Sequence, residues 1–145
     1  MSNLKEMDLS DNHIDNIKGL KSLSKLKMLN LRWNELKGLL HLSRLDGLKH
    51  LQELYLDYSS IDKIFLHNVG VMSSLRVLTL RNISLNGSLP NQAKHHFFYF
   101  TSWCELSNLQ ELDLSENGDN NKLSDQIEFQ TWIPKFQLKT NFMKS

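Results

Sequence analysis

Five copies of one template, L-x-x-L-x-L-x-x-N-x-L, run through this 145-residue chain. A sequence that resembles itself at a fixed period folds as a stack of one repeated unit. The first copy is Leu4, Met7, Leu9, Asn12 and Ile14, and the second Leu26, Leu29, Leu31, Asn34 and Leu36. The third is Leu51, Leu54, Leu56, Ser59 and Ile61, and the fourth Leu75, Leu78, Leu80, Ile83 and Leu85. The fifth is Leu109, Leu112, Leu114 and Asn117, with Asp119 where the template asks for a last apolar residue. Successive copies begin 22, 25, 24 and 34 residues apart. Leucine supplies nearly a fifth of the chain, roughly double ordinary usage.

Each template position has a physical reason. The L-x-L core reads as a short strand whose apolar side chains share one face. Stacking those strands turns the leucines inward and sets the intervening residues on a common concave sheet. The chain must turn after every strand, and an inward asparagine suits that turn because its amide both donates to and accepts from buried backbone groups. Asn12, Asn34 and Asn117 fit this structural role, Ser59 in part, and Ile83 not at all. The chain then returns along the convex side, as Leu36, Leu39, Leu40, Leu42, Leu45 and Leu48 suggest for the second coil. The expected fold is an α/β-type solenoid: a leucine-rich-repeat arc of about five coils, with a parallel concave sheet of short strands and irregular or helical convex returns.

The fourth copy continues Leu85-Asn86-Gly87-Ser88-Leu89-Pro90, which resembles the L-x-G-x-[IL]-P signature of plant extracellular leucine-rich repeats. Asn34, Leu36, Gly38 and Leu40 give the same signature without its proline. The stretches KMLNLRWNEL, LQELYLD, LNGSLPNQ and WCELSNLQELDLSEN are similar to repeats of plant receptor-like proteins, and residues 132–139, WIPKFQLK, resemble a segment that opens a later repeat in that family. The resemblance implies a single-pass cell-surface receptor with a large repeat ectodomain, extracellular at the plasma membrane, serving defence or developmental signalling. Its partner would be a protein or peptide ligand, or a co-receptor. A polygalacturonase-inhibitor-like role uses the same repeat subtype. The family's signal peptide, cysteine-paired cap, further repeats and membrane anchor are not recognisable here. A piece of a longer ectodomain and a small free-standing protein are therefore both open, and missing caps would leave the solenoid marginally stable.

The repeats starting near 4, 26, 51, 75 and 109 define a solenoid over residues 1–117. The long fourth spacing traces to residues 93–102, AKHHFFYFTS; without them the spacing returns to 24. This insertion reads either as an aromatic interaction loop using Phe97, Phe98, Tyr99 and Phe100 or as an accidental insertion. Residues 118–145 read as an irregular segment. Leu138 offers the start of a degenerate sixth repeat, although Asn141 and Phe142 break its spacing.

No catalytic constellation appears. The six histidines, His13, His41, His50, His67, His95 and His96, lie in none of the known metal spacings. No H-E-x-x-H, C-x-x-C, phosphate-binding glycine loop or G-x-S-x-G occurs. Cys104, the one cysteine, excludes an intrachain disulfide and reads as a packed or free thiol. Neither an enzyme, a cofactor nor a metal is expected. A net charge of +1 gives no pull toward nucleic acid. No run of 18 apolar residues is present, so direct membrane insertion by this chain is not expected.

The outward strand positions form columns. One holds Asp8, Asn30, Tyr55, Thr79 and Asp113; the next Ser10, Arg32, Asp57, Arg81 and Ser115; the third Asp11, Trp33, Tyr58, Asn82 and Glu116. Arg32, Trp33, Tyr55, Asp57, Tyr58 and Arg81 cluster on adjacent coils, and Trp, Tyr and Arg are the types enriched in binding hot spots. They are the candidate ligand-binding set on the concave face. The plain alternative is a solvated sheet face paired within itself through Arg32–Asp57 and Asp57–Arg81. Asn82 and Asn86 head two N-x-[ST] sequons, candidate glycosylation sites in a secreted chain. Two function classes remain: an extracellular recognition module, and an intracellular interaction scaffold or non-functional truncated copy.

Overall fold

The computed structural model describes residues 3–36, 46–86, 105–117 and 137–139. In chain order the described strands are β1 (Glu6–Asp8), β2 (Met28–Asn30), β3 (Glu35–Leu36), β4 (Glu53–Tyr55), β5 (Ser60–Asp62), β6 (Val77–Thr79), β7 (Ser84–Asn86), β8 (Glu111–Asp113) and β9 (Gln137–Lys139), and a short α-helix, α1 (Lys63–Asn68), follows β5. Six of them form a parallel sheet in the order β1-β2-β4-β6-β8-β9, so each coil contributes one strand beside its neighbour. The template leucine at the strand centre sets the register. Met7, Leu29, Leu54, Leu78, Leu112 and Leu138 pair in one unbroken row.

Leu29, Leu31, Leu51, Leu56, Leu75, Leu78 and Leu80 are wholly buried, each stabilising the fold by about 1.5–3 kcal/mol relative to exposure. Among the described residues, four returns end in the same local device. The N–H groups of Leu26, Leu51, Leu75 and Leu109 donate to the carbonyls of Leu23, Leu48, Met72 and Leu106, three residues back. Those four residues are buried as well, so one tight turn seats two apolar side chains and launches the next strand. Around these bonds the returns form 3-10 turns at Lys18–Ser22, Asp46–Leu48 and Val69–Val71. The third return alone among the described ones includes α1, capped by the Asp62 carboxylate accepting from the Ile64 N–H at 2.9 Å. Phe65 of α1 is wholly buried.

Two features depart from the sequence expectation. A second parallel sheet, β3-β5-β7, runs beside the turn. Its strands are two or three residues long and contain the last apolar residue of the template, where the sequence pattern predicts turn and return. Leu138, expected as the first leucine of a sixth repeat, pairs with Leu112 and so stands at the second leucine position. The insertion 93–102, Cys104, Leu39, Leu40, Leu42, Leu45 and most of the segment from 118 onward lie outside the described residues.

The turn after each strand is held from inside. Asn34 Oδ1 accepts from the N–H groups of Asn12 at 3.2 Å and Ile14 at 2.8 Å. Its Nδ2 donates to the carbonyls of Leu9, Leu31 and Arg32 at 2.9, 3.0 and 3.1 Å. One side chain thus closes its own turn and the turn of the coil before it. Asn117 repeats this, accepting from Ile83 N–H at 3.0 Å and donating to Leu80 and Leu114 carbonyls at 2.7 and 2.9 Å. Ser59 substitutes with its hydroxyl, accepting from Asn34 N–H at 3.1 Å and donating to the Leu31 carbonyl at 3.0 Å. Asn12 differs from the expectation: it sits exposed in the end coil of the described solenoid and donates to the Ser10 carbonyl at 2.7 Å. It braces only its own turn. Ile83 fills the asparagine position with a wholly buried apolar side chain.

Asn34→Leu should remove five hydrogen bonds and strand buried donors and acceptors on two coils, costing about 2–4 kcal/mol at about 1–3 kcal/mol for each buried group left unpaired. Ser59→Ala should cost about 1 kcal/mol on the same scale. Urea denaturation followed by circular dichroism checks both, and an unchanged midpoint in Asn34→Leu would remove the asparagine from its assigned role.

Candidate ligand-binding surface

The same turn dictates the backbone of the third outward column. Asp11, Trp33, Tyr58, Asn82 and Glu116 all have positive φ, between 44° and 62°. Such left-handed conformations suit Asn, Asp and Gly and are disfavoured for bulky side chains. Asp11 and Asn82 are the tolerant types; Trp33, Tyr58 and Glu116 are not. The coils are nonetheless laddered there, with N–H groups of Asp11, Trp33, Tyr58 and Asn82 donating to carbonyls of Arg32, Asp57, Arg81 and Ser115 at 2.9, 3.1, 2.8 and 3.2 Å.

Parallel columns bring side chains from successive coils face to face. Trp33 and Tyr58 stack with ring centroids 4.4 Å apart and planes 4° from parallel. The guanidinium of Arg81 lies 6.0 Å from the Tyr58 ring centroid, within cation–π range. Arg81 Nη2 donates to Glu116 Oε1, and the Tyr58 hydroxyl donates to Glu116 Oε2 at 2.7 Å. Tyr58 therefore reaches across the fourth coil to the fifth. Beside this chain, Arg32 Nε donates to Asp57 Oδ2 at 2.6 Å while its guanidinium lies 4.6 Å over the Tyr55 ring. The Tyr55 hydroxyl donates to Glu53 at 2.7 Å.

The candidate residues therefore lie together, but with unequal roles. Asp57, expected to face a ligand, is 2% exposed. Its second oxygen accepts the backbone N–H of Arg81 at 2.9 Å, so it braces two coils instead of offering a charge to solvent. The expected Asp57–Arg81 side-chain pair is likewise replaced: the Arg81 guanidinium turns to Glu116, with Nε 3.9 Å from Asp113 Oδ2. Arg32, Tyr55, Tyr58 and Arg81 are half-buried, whereas Trp33 is 57% exposed, the one large apolar side chain so exposed among the described residues. Glu116 belongs to the cluster although only its column position signalled it. Asn82 is exposed on its turn and Ile83 behind it is buried; the Asn86 side chain lies outside the described residues.

The electrostatics follow the hydrogen bonds. The bonds from Tyr58 and then Arg81 hold the Glu116 carboxyl below the ordinary glutamate range. The same bond, followed by desolvation, raises the Tyr58 phenol above its ordinary value. Desolvation and then the bond to Glu53 push the Tyr55 phenol up to about 12. Asp8 is lowered by the Ser10 hydroxyl and N–H, which it accepts at 2.7 and 2.9 Å.

The parallel sheet, the leucine rows and the asparagine turns define a leucine-rich-repeat solenoid. A family profile described as Leucine Rich Repeat matches residues 3–24. Over 54 residues the chain is 43% identical to Cuscuta receptor 1 of Solanum lycopersicum, a match covering 37% of this chain and 4% of that receptor. Among solved structures it is similar to an internalin of Listeria monocytogenes, with a TM-score of 0.57 and 23% identity over 77% of this chain and 28% of that one. Internalin C2 of the same organism gives a TM-score of 0.58 and 25% identity over 78% of this chain and 42% of its own. The chain thus spans less than half the length of each of these proteins.

The Tyr58–Glu116 bond makes a signed prediction. A carboxyl whose folded value is lowered stabilises the fold above its unfolded value and loses that contribution as pH falls through the folded one. The raised Tyr58 phenol contributes below its ordinary value of 10.0 and loses its contribution as pH rises through the folded one. Glu116→Gln should bring the Tyr58 titration back down toward 10. Ring-resonance NMR between pH 8 and about 12 checks this, and a Tyr58 titration identical in the two proteins would show that the bond does not form in solution.

Proposed function

We propose that this chain is a non-enzymatic recognition module that binds a protein or peptide ligand on its concave face, and that it works as part of a cell-surface receptor. The observation that carries the reading is Trp33. It is held with positive φ, stacked on Tyr58 and left 57% exposed. A bulky aromatic in a conformation better served by Asn or Gly adds nothing to the core that a smaller residue would lose. Its presence is accounted for by what it presents to solvent. Trp, Tyr and Arg on a rigid support are the residues that dominate binding energy at interfaces, and repeat solenoids use their concave surfaces for binding.

In this reading Trp33, Tyr55, Tyr58, Arg32 and Arg81 form the contact surface, and Asp57 and Glu116 hold its two arginines in place. The receptor assignment is supported by the name of the Solanum lycopersicum relative and by the repeat signature at residues 85–90. Exposure of Asn82 supports the use of its sequon. A glycan there would border the contact surface on its fourth coil. The ligand binds without chemical change, and the binding biases assembly with a co-receptor.

Random peptides displayed on phage and selected on the purified chain test the contact surface. Selected peptides should bind Trp33→Ala at least tenfold more weakly than the parent, because truncating a hot-spot aromatic costs about 2 kcal/mol or more. Peptides bound equally by both proteins would place recognition elsewhere. For the cellular side, glycopeptide mass spectrometry of extracellular fluid and membranes should find Asn82 modified; unmodified peptide confined to the cytosol would overturn the receptor reading.

A further inference from the structure

The concave face contains its own arginine sites, and they share one plan. In each, a guanidinium lies over a tyrosine ring and a carboxylate on another coil holds it. Arg32 lies over Tyr55 and is paired with Asp57; Arg81 lies beside Tyr58 and is paired with Glu116. The second is part of a stack running along the solenoid: Trp33, Tyr58, Arg81, Glu116. Its far end is closed by the cation and its carboxylate. Its near end is the outer face of Trp33.

The orientation of that face follows from the stack. Trp33 and Tyr58 are parallel to within 4° and belong to adjacent coils, which are about 4.8 Å apart in a sheet. The ring planes therefore stand across the solenoid axis. One face of the indole is covered by Tyr58, and the other is turned toward the first coil. The residue of the first coil in this column is Asp11, exposed, with its N–H donating to the Arg32 carbonyl. Asp8 of the same coil is also exposed. Arg32, the nearest cation of the second coil, is committed to Asp57. Asp8 already accepts from Ser10 and Asn30, so Asp11 is the first-coil carboxylate left in the column of the uncovered indole face.

We propose that the outer face of Trp33, with Asp11 as counter-charge, is a subsite for an arginine or lysine side chain of a bound peptide. The incoming cation lies over the indole, the best of the aromatic rings for such a contact, and pairs with the Asp11 carboxylate as Arg81 pairs with Glu116. The stack then has a cation and a carboxylate at both ends. The inference rests on the reading of the concave face as a recognition surface and adds the chemistry of one anchor residue in the partner.

The probe is N-acetyl-arginine amide, with N-acetyl-citrulline amide as the uncharged analogue of the same shape. Each is titrated into the intact chain while the Trp33 indole N–H and the Asp11 backbone N–H are followed by nitrogen-15 NMR. Arginine should shift both signals and bind about fivefold or more tightly than citrulline, the range expected of a cation–π contact of about 1 kcal/mol. Asp11→Asn should remove most of that preference, and Trp33→Leu should abolish the Asp11 shift; both positions are exposed, so the fold is kept. Equal shifts with citrulline, or arginine shifts that survive Asp11→Asn undiminished, would overturn the proposal. The phage-selected peptides separate the two readings. Trp33-dependent peptides without arginine or lysine leave the concave recognition surface in place and overturn the cationic subsite. An absence of Trp33-dependent peptides overturns the recognition surface itself.

Discussion

Coils two to five of this solenoid bury their turns, and a buried turn must pair its backbone polar groups or lose about 1–3 kcal/mol for each one left unpaired. The rest of the molecule depends on how that demand is met. A leucine row alone would collapse into an apolar cluster with no fixed register. Asn34 and Asn117 join the carbonyls and N–H groups of two successive turns through one amide each. They thereby fix the spacing of the coils as well as the shape of each turn. Ser59 does the same for Asn34 with a single hydroxyl, which shows how few atoms the task needs when both a donor and an acceptor are supplied.

The binding surface is a consequence of the same turn. At the turn, the residue before the asparagine position takes a positive φ in each of the five coils, whether that position holds Asn, Ser59 or Ile83. That conformation sets the third-column side chains in line along the concave rim. Where the residue is short, as at Asp11 and Asn82, the rim is open. Where it is large, as at Trp33 and Tyr58, neighbouring rings meet and stack. The aromatic patch is therefore a product of repeat geometry acting on two residue types, and its precision comes from the core beneath it. Leucine packing defines the strand spacing, strand spacing defines the ring separation, and the carboxylates of Asp57 and Glu116 lock the flanking arginines.

Much of this was legible in the sequence because it depends on period alone. The leucine rows, the outward columns, the inward asparagines at 34 and 117 and the adjacency of Trp33 with Tyr58 all follow from counting. Properties that depend on rotamers or on several coils at once were not legible. The Arg32–Asp57 pair follows from the columns, but the burial of Asp57 and its bond to the Arg81 backbone do not. Glu116 meets Tyr58 from two coils away, over a column position filled by the short Asn82, a contact that neighbouring-strand reasoning does not reach. The strands of the second sheet, two or three residues long, are too short to be told from a turn by pattern alone. Leu138 misled because its spacing fits two template positions and only pairing with Leu112 chooses between them.

The described concave face is not uniform along its length, and the asymmetry bears on where a partner can gain most. Toward the fourth and fifth coils Thr79, Asp113 and Ser115 are each less than a tenth exposed, and the Asp113 carboxylate accepts both the Ser115 N–H and hydroxyl, while the Thr79 hydroxyl is buried without a hydrogen-bond partner. Toward the first two coils, Asp8, Asp11 and Trp33 remain exposed. A ligand at the buried end would have to replace good internal bonds with equivalent ones, which gains little. At the exposed end it covers an indole face already held in place by Tyr58, so the ordering cost that usually reduces binding is largely absent. Rigidity supplied by the later coils and availability offered by the earlier ones are complementary: the buried hydrogen-bonded half holds the aromatic stack in register, and the open half is where that register can be read by another molecule.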